Sequence, residues 1–173
     1  MVNKQTNNNF LYIFIAITSI IVILDQLTKI LIKQTKPTLQ FLFLNIHYST
    51  NTGAGFGIFQ NSSFLLGILS LIFVIALILY YPKIPKTKIY QIVSALLLGG
   101  AIGNMIDRLI RREVIDFIAT SFWPSFNVAD AAISISAIII IILLIKEETM
   151  PDSKIDIKKT KTKKPTFLYN PNN

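Results

Sequence analysis

The apolar residues of this chain are gathered into four long blocks instead of being spread as stripes. Two of these blocks, Phe64 to Tyr81 and Ile89 to Ile106, each contain 18 residues without a charge. An α-helix needs about 20 residues to cross the hydrocarbon layer of a membrane. The pattern therefore predicts an all-α integral membrane protein with four transmembrane helices, at about residues 10–32, 64–81, 89–106 and 126–145.

The segments after the first and third blocks have a different character. In the segment 33–63, the run from Leu39 to Leu44 continues with Ile46 and Tyr48, which favours strands over helix. We therefore expect a small extracytoplasmic β-rich segment between helices 1 and 2, with an ordered loop as the alternative. The segment 107–125 is short, charged and aromatic, as expected at a membrane interface.

Composition narrows the class of protein. The chain has 173 residues, which fits one domain, and a mean hydropathy of +0.56, which excludes a soluble globular enzyme. It contains no cysteine, so disulfides, thiolate nucleophiles and iron–sulfur clusters are excluded. A single histidine, His47, rules out a histidine-rich metal site.

Positive charge is distributed unevenly between the two sides predicted for the chain. Eleven of the 17 lysines and arginines lie in the terminal segments and the loop between helices 2 and 3, so this side should face the cytoplasm. We expect a membrane domain at 1–148 and a disordered, basic cytoplasmic tail at 149–173. The excess positive charge of +8 is then explained by membrane orientation and by contact with lipid headgroups, and no nucleic-acid partner is expected.

Ionisable residues at the ends of the predicted helices share one depth. Burying such residues in a membrane costs free energy, so each is expected to have a polar partner or a functional role. The predicted topology places four carboxylates and three amides near the outer boundary: Asp25, Asp107, Asp116, Asp130, Asn51, Asn104 and Asn127. This layer predicts a functional site.

The chemistry of the layer follows from what it contains. No serine stands beside an evident base, and no metal-binding motif is present, so neither a metal nor another cofactor is expected. Two close aspartates share one proton, so that one activates a water while the other hydrogen-bonds the carbonyl under attack. Carboxylates in this layer therefore favour aspartic-protease chemistry.

Five ordered blocks resemble the motifs of the lipoprotein signal peptidase (signal peptidase II) family. They are Asp25-Gln-Leu-Thr-Lys29, Asn51-x-Gly-Ala-x-Phe-Gly57, Gly99-Gly-x-x-Gly-Asn-x-x-Asp-Arg108, Val114-Ile-Asp-Phe117 and Phe126-Asn-x-Ala-Asp130. Together they extend from helix 1 to helix 4.

The resemblance implies an activity and a set of residue roles. It implies a multi-pass membrane aspartic endopeptidase that removes signal peptides from prolipoproteins, cleaving before the diacylglyceryl-modified cysteine. The implied catalytic pair is Asp116 and Asp130. The implied supporting residues are Asn51, Gly53, Asn104, Arg108 and Asn127, while Asp107 is expected to be an ion-pair member.

Some interpretations stay open at this point. Asp25 and Lys29 are four residues apart on a helix, which fits a structural pair as well as direct contact with substrate. The expected partners are lipid-modified prolipoprotein signal peptides and membrane lipids, and the chain is expected to act as a monomer. A proton-coupled transporter and an inactive binding protein of the same fold are the competing functions.

Overall fold

The computed structural model describes residues 4–54 and 58–149, and it contains four long helices and one small sheet. The helices are α1 (Lys4–Thr35), α2 (Ser63–Tyr80), α3 (Lys88–Ile106) and α4 (Val128–Thr149). A short 3₁₀ turn follows α2 at Tyr81–Lys83, and a single π-helical turn follows α3 at Asp107–Arg111. The predicted tail lies almost wholly outside the described residues.

All four helices are long and apolar enough to cross a membrane, so the prediction of four membrane helices is confirmed at this level. α1 is longer than the predicted 10–32, and its 32 residues extend about 48 Å at 1.5 Å per residue. α4 begins at Val128 rather than at residue 126, because Phe126 belongs to a strand. The chain divides after Ile140 into two units, and every residue of the site and the sheet described below belongs to the first.

The sheet has four antiparallel strands in sequence order: β1 (Thr38–Phe41), β2 (Leu44–Asn51), β3 (Val114–Thr120) and β4 (Trp123–Phe126). The strands predicted between helices 1 and 2 are present as β1 and β2. The sheet is not confined to that segment, however, since β3 and β4 come from the connection between α3 and α4. The sequence predicts a membrane-interface position for the segment 107–125 but no strands in it.

Glycines on α3 allow close approach to two other helices. A Cβ on Gly99 would lie 2.8 Å from Ile21 Cβ of α1, and one on Gly100 would lie 2.5 Å from the carbonyl oxygen of Ala129 in α4. A Cβ on Gly103 would lie 2.6 Å from Asp25 Oδ2. α3 therefore packs tightly against α1, because Gly99 and Gly103 form a small-xxx-small spacing, and it brings polar groups of α1 and α4 to one end of the bundle.

β3 is held against the helices by an apolar cluster. Ile115 and Phe117 are buried against Ile32 near the end of α1. Successive side chains of a strand point to opposite faces, so Asp116 points away from this cluster. The packing of β3 on α1 thus fixes where the Asp116 carboxyl group lies.

Candidate functional site

A cavity of about 580 Å³ lies between the sheet and the helix ends, within the size range of ligand sites. Asp116 of β3 and Asp130 of α4 both line it. Its other polar lining residues come from β2, the connection to α2, the π turn and β4: Ser49, Thr50, Asn51, Gln60, Arg108 and Ser125. The structure therefore brings the two predicted catalytic aspartates to one cavity.

Asn127 connects the two aspartates. Its Nδ2 donates to Asp116 Oδ1 at 2.7 Å. Its Oδ1 accepts the backbone N–H of Asp130 at 2.9 Å, and its own N–H donates to Asp130 Oδ2 at 3.3 Å. This reciprocal pair is a capping box at the start of α4. The N-x-A-D sequence therefore caps α4 and orients the Asp130 carboxylate. The side-chain Nδ2 group of Asn127 holds the Asp116 carboxyl group.

Asn104 supports Asp130 from α3. Its Nδ2 donates to Asp130 Oδ1 at 2.7 Å. Its Oδ1 accepts from Lys29 Nζ at 3.1 Å and from Asn127 Nδ2 at 3.3 Å. Each polar atom of this buried amide group therefore has at least one partner, as burial requires.

Burial and a neighbouring negative charge perturb the Asp116 carboxyl group. Desolvation is the largest cause, and the charge of Asp130 adds to it, so that the pKa of Asp116 is raised to about 7. Asn127, the charge of Lys29 and Asn51 lower the pKa, but by less. Asp116 therefore keeps its proton up to near-neutral pH.

Arg108 lines the cavity and contacts the turn at Gly53. Arg108 Nη2 donates to the Gly53 carbonyl oxygen at 3.4 Å, and the Gly53 N–H donates to Asn51 Oδ1 at 2.9 Å. A Cβ on Gly53 would lie 2.6 Å from the Ile58 carbonyl oxygen, so this turn has no room for a side chain. Arg108 Nε is buried and makes no hydrogen bond within the described part of the chain.

Asp25 and Lys29 do not line the cavity; they lie behind it in a buried ionic cluster. Lys29 Nζ is 2.7 Å from Asp25 Oδ2 and 2.8 Å from Asp107 Oδ2, and all three side chains are 0% exposed. Asp107 also pairs with Arg111, at i, i+4 across the π turn. Two carboxylates and two cations make the cluster electrically neutral, which reduces the cost of burying it.

Two members of this cluster were missed by sequence analysis. Gln26 donates from Nε2 to Asp107 Oδ1 at 3.2 Å and to the Gly103 carbonyl oxygen at 3.1 Å. Arg111 donates to Gln26 Oε1 at 2.8 Å and pairs with Asp107, which the sequence indicated as an ion-pair member without its partner. The i, i+4 spacing of Asp107 and Arg111 was the available signal.

Comparison with known proteins identifies the family of this chain. The profile of the signal peptidase (SPase) II family matches residues 17–146. A lipoprotein signal peptidase of Caldanaerobacter subterraneus is 38% identical over 138 residues, covering 76% of this chain and 94% of that protein. One from Staphylococcus haemolyticus is 36% identical, covering 80% of this chain and 94% of that protein.

A solved structure gives the same result. A bacterial membrane enzyme determined by the in meso method at 2.3 Å resolution superposes with a TM-score of 0.76 at 36% sequence identity. The superposition covers 82% of this chain and 92% of that one. The family that the motif blocks resemble is thereby confirmed, and the chain belongs to the signal peptidase II family.

Proposed function

We propose that this chain is an aspartic endopeptidase that removes the signal peptide from prolipoproteins, with Asp116 and Asp130 as its catalytic pair. The observation that carries the proposal is the placement of both carboxyl groups on one cavity, joined through Asn127. Family membership supports the reaction. The proposed substrate bond is the one preceding a diacylglyceryl-modified cysteine.

The proposed mechanism uses one proton shared by the pair. Ionised Asp130 takes a proton from a water molecule, whose oxygen attacks the carbonyl carbon of the scissile peptide. Protonated Asp116 donates to the carbonyl oxygen as negative charge develops there. The tetrahedral intermediate then collapses, the C–N bond breaks, and the leaving amine takes a proton from the pair.

Other residues of the cavity would bind and orient the peptide. Arg108 lines the cavity and would donate to a substrate carbonyl group there, and its charge lies near enough to affect both aspartates electrostatically. Asn51 and Ser49 offer further polar contacts from the neighbouring strand. All these residues come from a single chain, so we propose that a monomer suffices.

The pH profile of cleavage is expected to be bell-shaped. Because the pKa of Asp116 is raised to about 7, its proton is present below that pH and is lost as the pH rises through it. Both carboxylates are then ionised, and kcat/KM should fall on the alkaline side with a limb near pH 7. On the acidic side kcat/KM should fall when neither carboxylate is left to activate water.

The measurement is cleavage of a lipidated peptide across pH, with and without EDTA. The proposal predicts the same profile in both, because a carboxylate activates the water. Loss of activity in EDTA that added zinc restores would contradict it, and so would a rate that stays constant from pH 6 to pH 9.

We also propose an orientation in which the sheet and the cavity face the outer side of the cell membrane and both termini face the cytoplasm. The exposed tips of the two hairpins support an interfacial position for the sheet. Leu42 is 93% exposed and Phe122 is 81% exposed, and aqueous surfaces seldom carry such a patch. The register Leu44–Thr120 places the two tips side by side.

Cysteine accessibility tests this orientation, because the chain has no cysteine of its own. Ser121→Cys, in the β3–β4 turn, should react with a membrane-impermeant maleimide on intact spheroplasts. Thr87→Cys, in the connection between α2 and α3, should react only after the membrane is permeabilised. The reverse labelling pattern would contradict the proposed orientation.

A further inference from the structure

Two buried carboxylates outside the cavity each hold the backbone just before a proposed catalytic aspartate. Asp25 Oδ1 accepts the N–H of Ala129 at 2.9 Å. Asp107 Oδ2 accepts the N–H of Ile115 at 3.4 Å. Ala129 and Ile115 each precede one member of the catalytic pair by a single position. The two carboxylates therefore restrain both segments that carry the pair, the start of α4 and β3.

Lys29 joins these two carboxylates. Its Nζ lies 2.7 Å from Asp25 Oδ2 and 2.8 Å from Asp107 Oδ2. Its third contact is Asn104 Oδ1 at 3.1 Å, and Asn104 donates to Asp130. An ammonium group has three N–H donors, and here every one is used. Each contact leads within one further hydrogen bond to a member of the catalytic pair or to the residue before it.

We propose that Lys29 is a positioning residue that clamps Asp25 to Asp107 and thereby sets the separation of the catalytic aspartates. This inference rests on the proposed function of Asp116 and Asp130. Without the ammonium group, no side chain would join the two carboxylates, and as long as both are charged they would also repel each other. The segments that they hold would then be free to move apart, and a displacement of about 1 Å at a reacting group can cost about 100-fold in rate.

Burial separates this role from contact with substrate. Lys29 is 0% exposed and is not part of the cavity wall. A loss of the clamp should therefore lower kcat while leaving KM nearly unchanged. A purely structural ion pair predicts something else: the folded fraction and the melting temperature fall, but the molecules that stay folded keep their kcat.

The experiment compares three variants of the full chain, purified in detergent and assayed on a lipidated prolipoprotein peptide. Lys29→Met removes the charge at nearly constant side-chain length but leaves the cluster with one excess negative charge. The double variant Lys29→Met/Asp25→Asn restores neutrality, because the Asp107–Arg111 pair remains. Lys33→Met, one turn further along α1 and exposed, makes the same chemical change outside the cluster.

We expect Lys29→Met to lower kcat about 100-fold and the melting temperature as well. The neutral double variant should recover most of the melting temperature but not kcat, with KM within about twofold of the wild type in both. Lys33→Met should match the wild type. If Lys29→Met does not accumulate in the membrane, the double variant carries the test.

Recovery of kcat together with the melting temperature in the double variant would overturn the clamp and leave only a folding role. Wild-type kcat in folded Lys29→Met would overturn it as well. Neither result would contradict the proposed function, which is tested separately by replacing the catalytic aspartates themselves.

Discussion

Replacing Asp116 or Asp130 with Asn is expected to lower kcat at least about 1,000-fold, equivalent to about 4 kcal/mol in the activation barrier. The amide group of Asn has nearly the shape of the carboxyl group but can neither take a proton from water nor donate an acidic one. Both side chains line the same cavity, so either replacement removes one member of the proposed shared-proton pair.

The accompanying controls separate chemistry from folding. Each variant should reach wild-type levels in the membrane and should melt close to the wild type, since the amide fits the same space. Asp152→Asn makes the same change in a residue outside the five motif blocks and should retain full activity. A rate above about a tenth of wild type in either active-site variant would show that the pair is assigned wrongly.

Asn127→Asp is expected to lower kcat by about 100-fold or more, the second-largest effect. The substitution keeps the shape of the side chain but replaces the amide donor that Asp116 accepts at 2.7 Å. It also puts a third carboxyl group between two others, which opposes the ionised state of the pair. The capping acceptor for the N–H of Asp130 remains, so α4 should still begin at the same residue.

Steady-state kinetics of the purified variant measure this effect, and Asn61→Asp supplies the matched control. Asn61 is exposed in the turn before α2 and is not part of the cavity wall, so its replacement should leave kcat unchanged. An Asn127→Asp enzyme with wild-type kcat would mean that Asn127 only caps the helix.

The four helices and the polar layer could be predicted because a membrane makes both visible in the sequence. Uncharged blocks of 18 residues are typical of membrane-spanning helices, and isolated charges at their ends stand out against them. The pairing of Asp25 with Lys29 was open to prediction because both lie on one helix at i, i+4.

The second partner of Lys29 could not be predicted in the same way. Asp107 lies on another helix, and its approach to Lys29 depends on how closely α3 packs against α1 at Gly99 and Gly103. No sequence spacing reports that distance. The contact of Gln26 with Asp107 could not be predicted for the same reason, whereas the pairing of Asp107 with Arg111 is at i, i+4 and could have been.

β4 escaped prediction because it is short, and β3 because it is stabilised by long-range contacts. β4 has four residues including Pro124, and β3 takes its place through Ile115 and Phe117 packing against Ile32 of α1. The local sequence indicates little about these strands, because strand propensity depends strongly on burial and on neighbouring strands.

The proposed activity of this chain is cleavage of lipid-modified prolipoprotein signal peptides by its aspartate pair. The most direct measurement incubates the purified wild-type protein and the Asp116→Asn/Asp130→Asn double variant with a synthetic prolipoprotein peptide carrying a diacylglyceryl-cysteine, and identifies the products by mass spectrometry. We predict that the wild type cuts once, directly before the modified cysteine, and that the double variant yields no product. Cleavage at the same bond by the double variant would show that Asp116 and Asp130 are not the catalytic pair. No cleavage by the folded wild type would contradict the proposed activity.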